Sequence, residues 1–345
     1  MESLKHPLRL MALAAALAAA AGSPAQAQPQ KEFFKDKIVR LVNGGSAGSG
    51  YDLYSRMLAP WIEKKIGAKV IVESRPGAGM MTAMNHVWSQ PADGLTLMLA
   101  PGEGALLGAL VGNTAIRFKL EEFSLLARVN TAPRALIIYP KLPYKSIADI
   151  VASGKELRIG SNGKTDGTSD TAVFMCHALN IKCKIVIGYK SSRDFAFAAI
   201  RGEVDGTILV EDSSERYAAG GQLRAIGIVS RERSKLMPDV PTIHETMTLT
   251  KEQAEWLDYR DDIRKIGRLL IAPPNMNSDM LAYLRQISRE ILTDPEALAD
   301  FQKKRQPALY GSPEDMTAII RRAGGANLAP ERIKQIRHII MDKYY

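Results

Sequence analysis

Over residues 38–66 an apolar strand, a glycine-serine loop and an amphipathic helix follow one another without a spacer: IVRLVNGGSAGSGYDLYSRMLAPWIEKKI. Leu53, Met57, Trp61 and Ile62 fall on one helical face, and Pro60 is expected to kink or interrupt the helix. Glycines let such a loop turn tightly and let a ligand come close to its backbone. Unpaired N–H groups and the positive end of the helix dipole meet there, which makes a general anion site. Strands at Val70–Val72 and Leu95–Leu99, with a helix near Met80–Ser89 between them, extend the pattern to β-α-β-α-β. That alternation is the unit of a doubly wound sheet.

A second α/β series follows. Ala135–Tyr139, Leu157–Ile159, Ile185–Ile187, Gly206–Val210 and Leu223–Val229 read as extended. Helices are expected near Ser146–Ala152, Asp170–Leu179 and Arg193–Arg201. Gly160–Ser169, GSNGKTDGTS, is a second Gly/Ser/Thr loop opening a helix. The two halves share a pattern without a close sequence repeat. Towards the end, Thr250–Ile266 reads as a charged helix and Leu269–Ile271 as a strand. Ser278–Leu292 reads as an amphipathic helix with Ser278 as its N-cap.

Lys5 and Arg9 precede the apolar run Leu10–Ala21, and Ala25-Gln26-Ala27 gives a small-x-small cleavage pattern. This predicts an exported, periplasmic protein cleaved after Ala27, because the run is short for a membrane span. Removing 27 of the 345 residues leaves 318, more than one core usually holds, so two domains are expected. The formal charge of +9 is scattered, without a basic arm or aromatic-basic stripe, and argues against nucleic acid. Diffuse positive charge would steer small anions, or simply solvate the surface. Cys176 and Cys183 are compatible with a disulfide or with two buried thiols. No ligand spacing supports a metal, and no cofactor is expected.

The first loop is not G-x-G-x-x-G and lacks the P-loop Gly-Lys-Ser/Thr. None of the five histidines sits in H-E-x-x-H, and no G-x-S-x-G elbow marks a hydrolase, so no enzyme is expected. The candidate ligand-binding residues are therefore those of the two loops: Gly44, Gly45, Ser46, Ala47, Gly48, Ser49, Tyr51 and Asp52, then Ser161, Asn162, Thr165, Thr168 and Ser169. Asp52 is equally suited to capping the first helix. Tyr189, beyond a strand's carboxyl end, and Asp205 complete the set. Asp166, Asp170, Asp205, Glu211 and Asp212 read mostly as solvated loop acids and helix caps.

Taken in order, these residues resemble the substrate-binding receptors of tripartite tricarboxylate transporters, the Bug receptors, from about Phe33 to Lys304. The markers are Gly50-Tyr51-Asp52, Arg75-Pro76-Gly77-Ala78-Gly79, Asp93-Gly94-Leu95-Thr96, Gly188-Tyr189-Lys190, Gly202-Glu203-Val204-Asp205, Pro238-Asp239-Val240-Pro241-Thr242 and Leu270-Ile271-Ala272-Pro273-Pro274. The resemblance implies a two-domain, type II periplasmic-binding-protein (Venus-flytrap) fold with a ligand cleft. One lobe would take 28–132 plus 241–345 and the other 133–240. It implies that Asn43–Asp52 and Ser161–Ser169 grip a ligand carboxylate, with Tyr189 at the family's tyrosine position. The ligand would be a di- or tricarboxylate, an aromatic carboxylate or an acidic amino acid. Large and small integral membrane subunits would receive it; a sensor kinase partner or an exported enzyme on the same fold are the alternatives. Asn43, Lys164, Asp166, Asp170 and Glu211-Asp212 depart from the family pattern. Lys164 would suit a second carboxylate, and Glu211 or Asp212 an ammonium.

Overall fold

The computed structural model describes residues 27–324 and 328–345. The signal sequence expected over 1–27 lies, up to residue 26, outside them. Two five-stranded sheets make the two lobes. The first has the order β2-β1-β3-β10-β4: β1 Ile38–Asn43, β2 Lys69–Ser74, β3 Thr96–Pro101, β4 Ser124–Asn130 and β10 Arg268–Ala272. The second has the order β7-β6-β8-β5-β9: β5 Arg134–Ile138, β6 Leu157–Gly160, β7 Cys183–Val186, β8 Gly206–Val210 and β9 Arg224–Ile228. In each sheet the three leading strands are parallel and the fourth is antiparallel to both of its neighbours.

Local sequence explains the elements. The Gly50–Ile66 helix is capped by Ser49, whose hydroxyl accepts the Asp52 N–H, and ends at Gly67 in the left-handed region (φ 77°) that glycine tolerates. Pro60 lies inside this helix without ending it. Tyr54, Leu58 and Ile62 of that helix bury against Val39 and Leu41 of β1 and Leu284 and Ile287 of the Ser278–Thr293 helix. Each such side chain contributes about 1.5–3 kcal/mol of burial. Asn277, not Ser278, caps the latter helix, since its side chain accepts the Asp279 N–H at 2.9 Å.

In the second lobe Phe174, Ile138, Ile159 and Ile208 fill one sheet face and Phe195, Ile137, Leu209 and Ile228 the other. Cys176 and Cys183 are disulfide-bonded, tying the end of the Gly167–Ala178 helix to β7. β10 and the Ser278–Thr293 helix stay with the first sheet, but not every residue beyond 241 does. The Lys251–Arg264 and Pro330–Met341 helices pack on the Gly167–Ala178 helix, because their apolar faces (Trp256 and Leu257, Ile336 and Ile340) share its core. No helix among the described residues is long and apolar enough to cross a membrane.

Candidate functional site

Topology fixes the site. The parallel strands end at the cleft between the lobes, so an antiparallel strand beside them must begin there. Both antiparallel strands begin with arginine. Arg134 of β5 is in register with Val210, the last residue of β8. Arg268 of β10 is in register with Pro101 and Asn130, the last residues of β3 and β4. Both arginines are buried, 8% and 4% exposed, and both line the cavity between the lobes.

Their partners repeat the symmetry. β3 runs into the Gly102–Leu110 helix with Glu103 second, and β8 runs into the Glu211–Ala219 helix with Asp212 second. Arg134, in the second lobe, donates through Nη2 to both Glu103 oxygens of the first lobe at 3.1 Å. Arg268, in the first lobe, donates to Asp212 of the second at 3.1 and 3.4 Å. The cleft floor is thus crossed by two reciprocal ion pairs. Arg260 adds a third cation, bonded to Glu103 at 2.6 Å and through Nε to Asp170 at 2.7 Å. Burial works against the charge on Glu103, but Arg134 and Arg260 outweigh it and hold its carboxyl below the ordinary range. Burial dominates at Asp170 and pushes it up to about 6 despite Arg260. Burial also opposes the charge on Arg268, yet Asp212 outweighs it and keeps the guanidinium firmly protonated. Its guanidinium lies 4.2 Å from the Tyr54 ring centroid and 5.5 Å from that of Tyr51. Of the five acids read as solvated loop acids and helix caps, Asp166, Asp170, Glu211 and Asp212 are buried and Asp205 is half-buried; Asp166 is a cap, and Glu103, which was not among them, is buried too.

The two glycine loops hold a surprise of bookkeeping: their own side chains occupy much of the anion site. In the second loop the Asp166 carboxylate accepts the Asn162, Gly163, Thr168 and Ser169 N–H groups and the Ser161 hydroxyl, at 2.7–3.1 Å. It is the N-cap of the Gly167–Ala178 helix. In the first loop Asn43 takes the Gly45 N–H and Asp52 the Gly48 N–H. Ser46 bonds across the cleft to Ser191 at 2.5 Å, and Arg193 donates to the Ala47 carbonyl at 3.2 Å. Asn113 reaches Thr165 at 2.8 Å. The lobes are closed on one another.

Of the residues picked from sequence, Tyr51, Asn162 and Thr168 line the cavity. Gly44, Gly45, Ser46, Ala47, Gly48, Ser49 and Asp52 shape the first loop, and Ser161, Thr165 and Ser169 the second, behind that surface. Tyr189 packs edge-on against Phe195 outside the cavity lining. Asp205 is bound to the Arg158 backbone and guanidinium. Lys164 is not directed at the cleft: it bonds the Met341 carbonyl and lies over the Tyr345 ring. Glu211 accepts from Ser234 and the Lys235 N–H and is not part of the cavity lining, and Asp212 accepts from Arg268. The arginines and Glu103 went unseen in the sequence; the available signal was a charged residue opening each antiparallel strand.

The cavity has a volume of about 50 Å³, room for a compact solute. Its walls mix Met80, Pro101, Phe195 and Leu209 with the polar groups above. A narrow interlobe cavity with convergent donors can hold and orient a small polar molecule. Among the described residues no group of acidic, histidine and cysteine side chains forms a metal site.

Comparison with known proteins places this architecture. Among curated relatives, a UPF0065 protein of Bordetella bronchiseptica is 26% identical over 317 residues, covering 91% of this chain and 89% of that protein. Protein BugT of Bordetella pertussis is 22% identical over 316 residues, covering 90% and 93%. Among solved structures, periplasmic binding protein BugD matches with a TM-score of 0.71 at 18% identity, covering 88% of this chain and 97% of that one. MatC from Rhodopseudomonas palustris with bound malate matches at 0.72 and 18%, covering 87% and 98%. A protein of R. palustris with adipate matches at 0.72 and 20%, covering 87% and 97%. These likenesses carry the two-lobed binding-protein fold. The family model described as "Tripartite tricarboxylate transporter family receptor" matches residues 54–323, from the first cleft helix to the end of the last helix before residue 325, and by that match the chain belongs to this receptor family.

Proposed function

We propose that this protein is a periplasmic receptor that captures a small carboxylate between its lobes and delivers it to the membrane subunits of a tripartite transporter, without transforming it. The observation that carries the reading is the interlobe cavity with two buried arginines at its floor. The carboxylates named for two structural neighbours, malate and adipate, agree with it. Contacts from both lobes would favour the closed arrangement by their differential affinity, so closure follows binding thermodynamically. The sequence at 1–27 would export the chain, and the two lobes would be the moving bodies, with the Lys251–Arg264 and Pro330–Met341 helices travelling with the second.

The test is thermal unfolding of residues 28–345 with a panel of carboxylates and their amides. A ligand that binds the folded state alone must raise the melting temperature. We expect a shift with carboxylates and none with the amides. Equal shifts with both, or none with either, would defeat the reading.

A further inference from the structure

The Gly102–Leu110 helix is built against its own propensity. Gly104 and Gly108 stand inside it, where alanine is the more stable residue, and neither has the positive φ that calls for glycine. Space is the reason instead. A Cβ at Gly104 would lie 2.3 Å from the Thr165 carbonyl oxygen and 3.4 Å from the Asp166 Cα, both second-lobe backbone atoms. Outside its own helix, the three nearest atoms all belong to Thr165 and Asp166. At Gly108 the first-lobe Ile116 side chain is nearest, at 2.6 Å, with the Thr165 hydroxyl oxygen at 3.3 Å. The same threonine is buried and accepts from Asn113, three residues past the helix, at 2.8 Å. It directly precedes Asp166, which organises the loop that puts Asn162 and Thr168 at the cavity. Glu103, next to Gly104, bonds Arg134 and Arg260 of the second lobe, so the helix must come this near for those pairs to form.

We propose that Gly104 is a positioning residue for closure: the second loop comes to rest on its bare Cα, and a side chain there holds the lobes apart and lowers affinity by depleting the closed form. This rests on the two-lobed receptor reading and deepens it. A carbonyl oxygen of the backbone cannot swing aside as the tip of a flexible side chain can, so a methyl group at this point displaces the whole loop or stops the approach. Only the closed form presents both walls to a solute, and apparent affinity falls with the fraction of molecules able to close. In an open form the seat is empty; the methyl group then meets nothing beyond its own helix and favours that helix. The substitution thus separates two quantities that a packing defect lowers together, the stability of the lobe and the ease of closing.

The experiment is disulfide cross-linking of residues 28–345 with no ligand added. Gly104 also lines the cavity, so a loss of binding alone would not separate a crowded solute from a blocked closure. Ser46 and Ser191 meet across the cleft with their hydroxyl oxygens 2.5 Å apart. Cysteines at both positions can pair only when the lobes are closed, and the chain's two native cysteines are already bonded to each other. The double variant Ser46→Cys, Ser191→Cys is oxidised with and without Gly104→Ala. We expect the added substitution to slow disulfide formation tenfold or more, with a melting temperature at or above that of its parent. An unchanged rate would overturn the proposal, as would a parent that never forms the disulfide. A slow rate with a lowered melting temperature would mark a packing defect in the first lobe and overturn it too. If Gly104→Ala does not fold, Thr165→Val decides: it removes the bond from Asn113, should slow the reaction threefold or more, and defeats the proposal if it does not. No outcome depends on the solute's identity, so the carboxylate panel tests the receptor reading separately.

Discussion

The two glycine-rich loops open equivalent helices in equivalent lobes, yet they dispose of their N–H groups differently. In the second, a single residue, Asp166, gathers five donors and leaves its carboxylate buried in the loop. In the first, the work is divided among Asn43, Ser49 and Asp52, and Asp52 is shared with Arg56, whose side chain is 57% exposed. A helix-opening glycine loop is therefore an anion site only when it does not carry its own anion. In this chain the second loop does, and the buried arginines of the cleft stand instead at the starts of β5 and β10.

The sharpest break of that comparison is Asp166→Ala. It strips a helix cap and strands several buried donors, for an expected loss of about 3–5 kcal/mol. Added formate should recover part of the melting temperature in the variant and none in wild type, because the vacated donors then bind an external anion. Equal response of both proteins to formate would show that the loop does not need an acid.

Asp170, one turn into the same helix, gives a pH signature with no counterpart in the first lobe. Its carboxyl is pushed up to about 6 by burial, with Arg260, Glu103, Arg134 and Asp166 around it. The folded state then binds more protons than the unfolded chain between about pH 4 and 6, so this group's contribution falls as pH rises through that window. The size is up to about 3 kcal/mol. Melting temperatures of wild type and Asp170→Asn across pH 4–7 should diverge with that sign; parallel curves would remove Asp170 as the cause.

Asp52→Ala is the smallest of the three. It frees the Gly48 N–H and a half-exposed Arg56, for about 1 kcal/mol in chemical denaturation. A loss as large as that of Asp166→Ala would mean the two loops are built alike after all.

Much of this fold is legible in the sequence, since β1, β3 and β6 each precede a glycine or a helix and obey short-range rules. β4 and the Gly102–Leu110 helix do not. Ser124–Asn130 has no turn signal before it, and its burial comes from β10, which is more than a hundred residues away in sequence. GEGALLGAL carries three glycines and apolar residues on nearly every side, so it lacks a helical stripe. The site was half legible for the same reason. Loop glycines announce themselves locally, whereas Arg134 and Arg268 become neighbours only when two sheets close on each other. Asp166 stood in plain view, but nothing local distinguishes an acid that fills a loop from one that is hydrated.

The reciprocal pairs Glu103–Arg134 and Asp212–Arg268 bear on how the lobes would come apart. A cleft sealed by hydrocarbon exposes apolar surface on opening and takes up heat capacity; exposing polar surface lowers it. Here the floor separates along ion pairs whose charges regain water. Opening should then carry a small or negative heat-capacity change, and the balance between open and closed forms should shift little in steepness between a cold and a warm environment.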